Sequence, residues 1–361
     1  MSNNKDTAYP FTEREWKRLN EIDANERRGT VRLGLVLVLL TLIAAIMAFL
    51  VYLVVFRSHD YDLVQTYDRN HTVLGIPDTS VREDTASSFA SDLCVTDRDI
   101  NLAAVSLQAY SAGLFDLDNA GIIYAKDLFT TRSTASLTKI MTALVAIRYG
   151  NMDDIVTVTE TALNIEYGSS VCDIKVGDRI SMKQLVYGMM IASGNDAAMM
   201  IAEHVGGSVD YFVDMMNQEA LKIGATRTHF VNPHGLTDSN HYTCAYDIYL
   251  MFREAMKYDM FMDIISRSNF YAEYTNAEGS AAAVTWESTN HYFTGEAEAP
   301  DNVLIYGGKT GTTEDAGACL VLLTKDLYGD PYLAVILHSP DKDLLYDEMN
   351  HLLSIVPSEA A

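Results

Sequence analysis

Residues 135–150 read ASLTKIMTALVAIRYG, and this stretch decides how the rest of the chain is read. Ile140, Leu144 and Ile147 recur at helical spacing after a Ser/Thr-rich entry, and Gly150 marks a stop. The run is therefore expected to be a helix with Ser136 in its first turn. Lys139 follows Ser136 by three positions, so on a helix the two side chains share a face and can meet. A serine hydroxyl is a weak nucleophile near neutral pH and needs a base within hydrogen-bond reach, together with donors for the oxyanion that forms. A lysine serves as that base only when uncharged. Its ordinary pKa is about 10.4, so burial and a second positive charge must lower it, at about 1.36 kcal/mol per unit.

Two further motifs answer these needs. Lys309-Thr310-Gly311 lies in YGGKTGTT (306–313); Lys309 is the candidate second charge, and the glycine-rich flank lets a ligand backbone lie along a strand edge. Ser193-Gly194-Asn195 falls between two helical patterns, where a hydroxyl can relay protons and an amide can hold a substrate amide. Ser-x-Asn recurs at Ser2 and Ser288 and Ser-x-x-Lys at Ser2 and Ser339, so neither is specific alone, whereas Lys-Thr-Gly occurs once. Order and context give the set its weight: the serine opens a helix, the Asn motif sits at a helix junction and Lys-Thr-Gly lies on a strand, the trio of penicillin-binding proteins and class A β-lactamases.

Outward from these motifs the chain reads as one α/β (α+β) domain over 93–357. AYSAGLFDLD (109–118) and IIYAKD (122–127), joined by a turn at Asn119–Gly121, form a hairpin. Residues 181–260 carry four helical patterns and read as an all-helical subdomain. NVLIYGGK (302–309), GACLVLLTK (317–325) and PYLAVILHS (331–339) are strands, the last two apolar throughout as in a sheet covered by helices, and DLLYDEMNHLLSIV (343–356) is a closing helix. Hairpin, helices, strands, helix predicts a mostly antiparallel sheet with helices on its faces.

Leu33–Phe56 contains no charged residue. At 1.5 Å per residue it makes roughly 36 Å of helix, enough to cross a hydrocarbon core of about 30 Å with a modest tilt. Arg27, Arg28 and Arg32 precede it, and Asp60 and Asp62 follow, which orients the N-terminus to the cytoplasm and the rest of the chain outside. A cleaved signal has an apolar region of only about 7–15 residues and a small-x-small site, and none follows Phe56. The expected organisation is a cytoplasmic tail (1–31), a transmembrane helix (32–57), a stalk (58–92) and the catalytic domain, at the cell membrane. Asp and Glu outnumber Lys and Arg by 49 to 26, so a phosphate backbone is repelled and nucleic acid is excluded as a partner. Cys94, Cys172, Cys244 and Cys319 all fall in the part expected outside the cell, so up to two disulfides with three connectivities are open. Their wide spacing fits no metal site, and a domain of this size does not need staples, which favours unpaired structural residues; no metal or cofactor is expected.

The runs TASLTKIMTA, GMMIASGNDAA, FVNPHGL, Thr289-Asn290 and YGGKTGTT, in this order between about residues 95 and 355, resemble the low-molecular-weight penicillin-binding proteins, serine-type D-alanyl-D-alanine carboxypeptidases. The resemblance implies a β-lactamase/transpeptidase-like fold and a substrate that is a peptidoglycan stem peptide ending in D-Ala-D-Ala. Ser136 would attack, Lys139 accept its proton and Ser193 and Asn195 assist. Lys309 and Thr310, with Gly311 and Thr312 beside them, would hold the terminal carboxylate, and the Ser136 and Thr312 amides would form the oxyanion hole. β-Lactam antibiotics would acylate the same serine. The family's usual small β-rich second domain and C-terminal anchor are not expected here. In the VNPHGL run (231–236), Asn232, His234 and Gly235 form a structural turn in the family, and no acid partner for His234 is readable. Asp247 reads as an orienting or capping residue, and Met189, Met190, Met199 and Met200 as core filling. A β-lactamase or D,D-endopeptidase on the same fold, or a non-catalytic β-lactam- or peptidoglycan-binding module, are the alternatives. The Glu-x-x-Leu-Asn run of class A β-lactamases does not follow Ser193.

Overall fold

The turn that starts the sheet is held by one side chain. Asp116 accepts hydrogen bonds from the Asp118 and Asn119 amides at 3.0 and 2.9 Å, folding β1 (Ser111–Asp116) back onto β2 (Gly121–Lys126) as the hairpin expected. The computed structural model describes Lys17 and residues 93–357 except 104. The chain divides into two units, Met1–Thr85 and Ala86–Ala361, and the sheets with their helices belong to the second. The transmembrane helix expected over 32–57, and the tail and stalk around it apart from Lys17, lie outside the described residues. Among the described residues no helix is long and apolar enough to cross a membrane.

After the hairpin a 3-10 turn, Ala135–Thr138, runs into helix α1 (Lys139–Tyr149). Short strands β3 (Ile155–Thr157) and β4 (Arg179–Ser181) come next. Helix α2 (Met182–Ile191) opens on a capping box, in which the Ser181 hydroxyl accepts from the Gln184 amide while Gln184 accepts from the Ser181 amide. Then come α3 (Asn195–Gly206), α4 (Val209–Lys222), α5 (Ala245–Ala255) and α6 (Asp259–Ile265). A second hairpin, β5 (Asn269–Thr275) and β6 (Ala281–Glu287), leads through a single helical turn, His291–Thr294, to β7 (Val303–Thr313), β8 (Gly317–Asp326) and β9 (Pro331–Ser339). Helix α7 (Lys342–Leu353) closes the chain, its first turn capped by Asp341.

The main sheet has the order β2-β1-β9-β8-β7, antiparallel throughout. Its central strands are apolar on both faces because each face is covered. Phe115, Val321, Leu323, Val335 and Leu337 point into the core shared with α1–α6, while Leu114, Leu320, Leu322, Ala334 and Ile336 pack under Leu345, Met349 and Leu352 of α7. This places β7 at the sheet edge, against the 3-10 turn that carries Ser136.

The expectation of an all-helical subdomain is corrected. The helices form as their periodicity requires, but the lobe also holds a four-stranded antiparallel sheet, β3-β4-β5-β6. Strands β5 and β6 do alternate, with Phe270, Ala272 and Tyr274 and then Ala282, Val284 and Trp286 on the more buried face, but small Ala residues and an outward Tyr271 blur the apolar-polar contrast in the sequence. The four cysteines are buried and unpaired.

Candidate active site

Ala135, just before the serine, has φ of 48°, in the left-handed region that non-glycine residues rarely occupy. The chain then tightens into the 3-10 turn, with the Leu137 amide donating to the Thr134 carbonyl at 3.1 Å. In such a turn residues three apart eclipse, which aligns Ser136 with Lys139 more closely than an α-helix would. Lys139 Nζ lies 2.8 Å from Ser136 Oγ, 2.7 Å from Asn195 Oδ1 and 2.8 Å from the His234 carbonyl oxygen.

Lys139 is fully buried, and that burial, reinforced by the positive charge of Lys309, holds its amine well below the usual lysine range. A neutral amine has two N–H donors and one lone pair. Asn195 Oδ1 and the His234 carbonyl can only accept, so they take the two N–H bonds, and the lone pair faces the Ser136 hydroxyl. In its neutral form the amine is thus placed to receive a proton from the Ser136 hydroxyl.

Lys309 is also buried; its Nζ donates to Ser193 Oγ at 3.0 Å and to the Thr310 carbonyl at 2.9 Å, and burial pushes its pKa down to about 7. Ser193 holds a φ of 60°, the sharp turn between α2 and α3 that aims its hydroxyl at Lys309. The Thr310 hydroxyl hydrogen-bonds Thr289. Gly311 is dictated by space: a Cβ there would fall 2.9 Å from the Ser136 amide nitrogen and 2.9 Å from the Thr134 carbonyl oxygen. Ser136, Ser193, Thr310, Gly311 and Thr312 line a cavity of about 270 Å³, with Lys139, Asn195 and Lys309 buried behind its wall. All eight residues singled out in the sequence thus converge.

Other readings resolve in the same region. The His234 ring accepts from the Leu236 amide at 3.2 Å and is pushed down to about 3 by burial and by Lys139; its backbone carbonyl, not its ring, reaches Lys139. Asn232 makes the turn, accepting from the Gly235 amide at 2.7 Å and donating to the Leu236 carbonyl at 2.9 Å. Gly235, at φ of 90°, presses on Ala135 so closely that a Cβ would come within 1.9 Å of the Ala135 carbonyl oxygen. Asp247 orients the 227–228 backbone and side chain, accepting from the Arg227 amide and the Thr228 hydroxyl. Met189, Met190, Met199 and Met200 are core residues.

Several contributors are not legible in the sequence. Asp196 is a buried carboxylate that accepts from the amides of Cys172, Ala197 and Ile174, pinning the segment that brings Ser170 to the cavity. Its place directly after Asn195, in the first turn of α3, is the one signal that could have found it. Lys342, Leu345 and Tyr346 of α7 and the His291 backbone turn form the far wall, with the His291 and Tyr346 rings stacked 4.4 Å apart.

A serine paired with a buried lysine whose amine is held well below the usual lysine range, on an antiparallel sheet flanked by helices, has the arrangement of an active-serine acyl-transfer site. The family model described as D-alanyl-D-alanine carboxypeptidase, peptidase S11, matches residues 98–340, and the chain belongs to that family. It is 33% identical over 225 residues to D-alanyl-D-alanine carboxypeptidase DacF of Bacillus subtilis, covering 60% of this chain and 54% of that protein. It is 32% identical over 229 residues to DacD of Escherichia coli, covering 61% and 56%. The chain therefore spans little more than half the length of these curated relatives. The crystal structure of the Streptomyces K15 DD-transpeptidase superposes with a TM-score of 0.65 at 26% identity, over 70% of this chain and 98% of that one.

Proposed function

We propose that this protein is a serine-type D-Ala-D-Ala carboxypeptidase that removes the terminal D-alanine of peptidoglycan stem peptides through an acyl-enzyme on Ser136. The observation that carries the reading is the seat of Lys139: a buried amine, held well below the usual lysine range, with two carbonyl oxygens to take its N–H bonds and the Ser136 hydroxyl at 2.8 Å, so that in its neutral form the lone pair is left for the nucleophile. Ser136 Oγ attacks the carbonyl of the penultimate D-alanine as its proton passes to Lys139 Nζ. The oxyanion is held by the Ser136 and Thr312 amides. The C–N bond then breaks, and the proton held by Lys139 returns through the Ser193 hydroxyl to the departing nitrogen. Water attacks the ester, Lys139 takes its proton, and Ser136 is released.

Asn195 offers its NH2 group to the substrate amide, while Lys309 and Thr310 hold the terminal carboxylate, with Gly311 letting the substrate lie close. A bound carboxylate would draw the Lys309 pKa back up and restore its charge. Release of D-alanine from a synthetic peptide ending in D-Ala-D-Ala should vanish in Ser136→Ala; unchanged release would refute the assignment. Benzylpenicillin should leave a stable mass increase on the peptide containing Ser136, whereas rapid turnover of the drug would favour a β-lactamase.

We further propose that the protein sits at the cell membrane, with one span over Leu33–Phe56 and the catalytic domain outside. The charge-free length of that run and the arginines before it support this topology. Protease added to intact spheroplasts should digest the catalytic domain; a domain cut only after lysis would reverse the topology.

A further inference from the structure

One face of α1 is fastened to the turn that presents the His234 carbonyl. Thr142 Oγ1 donates to the Pro233 carbonyl at 2.6 Å, Lys139 Nζ lies 2.8 Å from the His234 carbonyl, and Thr138 Oγ1 lies 2.7 Å from Nε2 of His241. The first two bonds join the turn to the helix directly. The third runs through a ring that nothing in the proposed chemistry uses. His241 is buried, edge-on to Phe230, and its Nδ1 accepts from the Val231 amide at 3.2 Å.

That amide can only donate, so Nδ1 carries the lone pair and a neutral ring has its proton on Nε2, directed at the Thr138 hydroxyl. The ring therefore bridges two segments, the turn that starts at Val231 and the 3-10 turn that holds Ser136. The joint has no slack, because a Cβ on Gly235 would meet Thr138 Oγ1 at 2.8 Å as well as the Ala135 carbonyl oxygen. A shift at the Val231 end of the turn must move the His234 carbonyl at the other.

We propose that His241 is a positioning residue for the Ser136–Lys139 pair, bracing the Val231–Gly235 turn against Thr138 so that the His234 carbonyl orients the Lys139 amine. The inference rests on reading Lys139 as the base. Protonation would undo the brace, since a charged ring has no acceptor and would point Nδ1–H at the Val231 N–H. The charges around the ring oppose one another: Asp238, in its own loop, favours the cation, while His229 across the strand bridge disfavours it. His241 in turn faces His234, which lies against Lys139 of α1. Burial outweighs them and pushes the ring down to about 4.

Two measurements on the full chain decide the matter. In 15N-histidine-labelled protein, long-range proton–nitrogen spectra should show His241 with a bare Nδ1 and a protonated Nε2, unchanged down to about pH 5. An Nδ1–H tautomer, or a ring titrating near its ordinary value, would overturn the brace whether or not the protein hydrolyses peptides. The second measurement separates the benzylpenicillin acylation rate from the preceding dissociation constant, well below the melting temperature. His241→Ala should slow acylation about tenfold to a hundredfold with binding unchanged. His241→Asn, which keeps an acceptor for Val231, should recover part of the loss. An unchanged acylation rate in folded His241→Ala, or a loss confined to binding, would also overturn the brace. Failure of the wild-type protein to acylate would sink the catalytic reading instead, and the tautomer measurement would still decide the brace.

Discussion

Replacing Lys139 with methionine should slow acylation of Ser136 by about three orders of magnitude while the chain stays folded. Proton transfer to a positioned base contributes roughly 10²–10⁴ in rate, and among the described residues no other group lies on Ser136 Oγ with its lone pair so constrained. Stability is set by opposing effects. Methionine fills a similar volume and removes a buried amine, but it orphans Asn195 Oδ1 and the His234 carbonyl. Each unsatisfied buried acceptor costs about 1–3 kcal/mol; relief from burying the amine offsets part of this. A net loss of about 2 kcal/mol would lower the melting temperature by roughly 4–8 °C in a domain of this size. Stopped-flow acylation and calorimetry read the two effects separately. An acylation rate within tenfold of wild type would place the base elsewhere.

Gly311→Ala is expected to have the next largest effect, and through shape alone. The three nearest atoms the new methyl would meet all belong to backbone: the Ser136 nitrogen, the Thr134 carbonyl oxygen and, at 3.1 Å, the Leu137 nitrogen. None is a side-chain end that can swing away, so β7 must move. As an edge strand it can yield outward, and in doing so it carries Thr310 and Thr312 away from Ser136. Loss of one oxyanion donor costs about 10²–10³ in rate, and a comparable fall in penicillin acylation is expected with the fold retained. A near-normal rate would mean that the Thr312 amide does not serve the oxyanion.

Both variants act on features unequally visible in the sequence. Ser136, Lys139, Ser193, Asn195 and Lys309 are legible because their chemistry resides in side chains set at short, fixed spacings. The hairpin at 111–126 and the strands at 317–339 are legible because apolar runs and turn residues agree. The His234 carbonyl is not, since every residue carries the same group and only the fold selects which one faces an amine. The far wall of the cavity comes from α7, where Lys342 and Tyr346 look like ordinary helix residues until the sheet brings them opposite Ser136. The small sheet is hard to read because β3 and β4 are only three residues each and because alanines on both faces of β6 and Tyr271 on the outer face of β5 weaken the contrast that an alternating strand otherwise shows.

The main sheet acts as a partition between two separate apolar compartments, and the reaction chamber opens where both reach its rim. Leu137 and Ile140, which flank Lys139 in the chain, belong to the compartment on one side, while Tyr346 anchors the chamber from the other. Successive residues of β8 alternate between them, so a cavity cut at Leu320 and one cut at Val321 would loosen different walls of the same chamber. The geometry around Ser136 thus has two separate supports, and a cavity on either side of the sheet is expected to reach it by its own route.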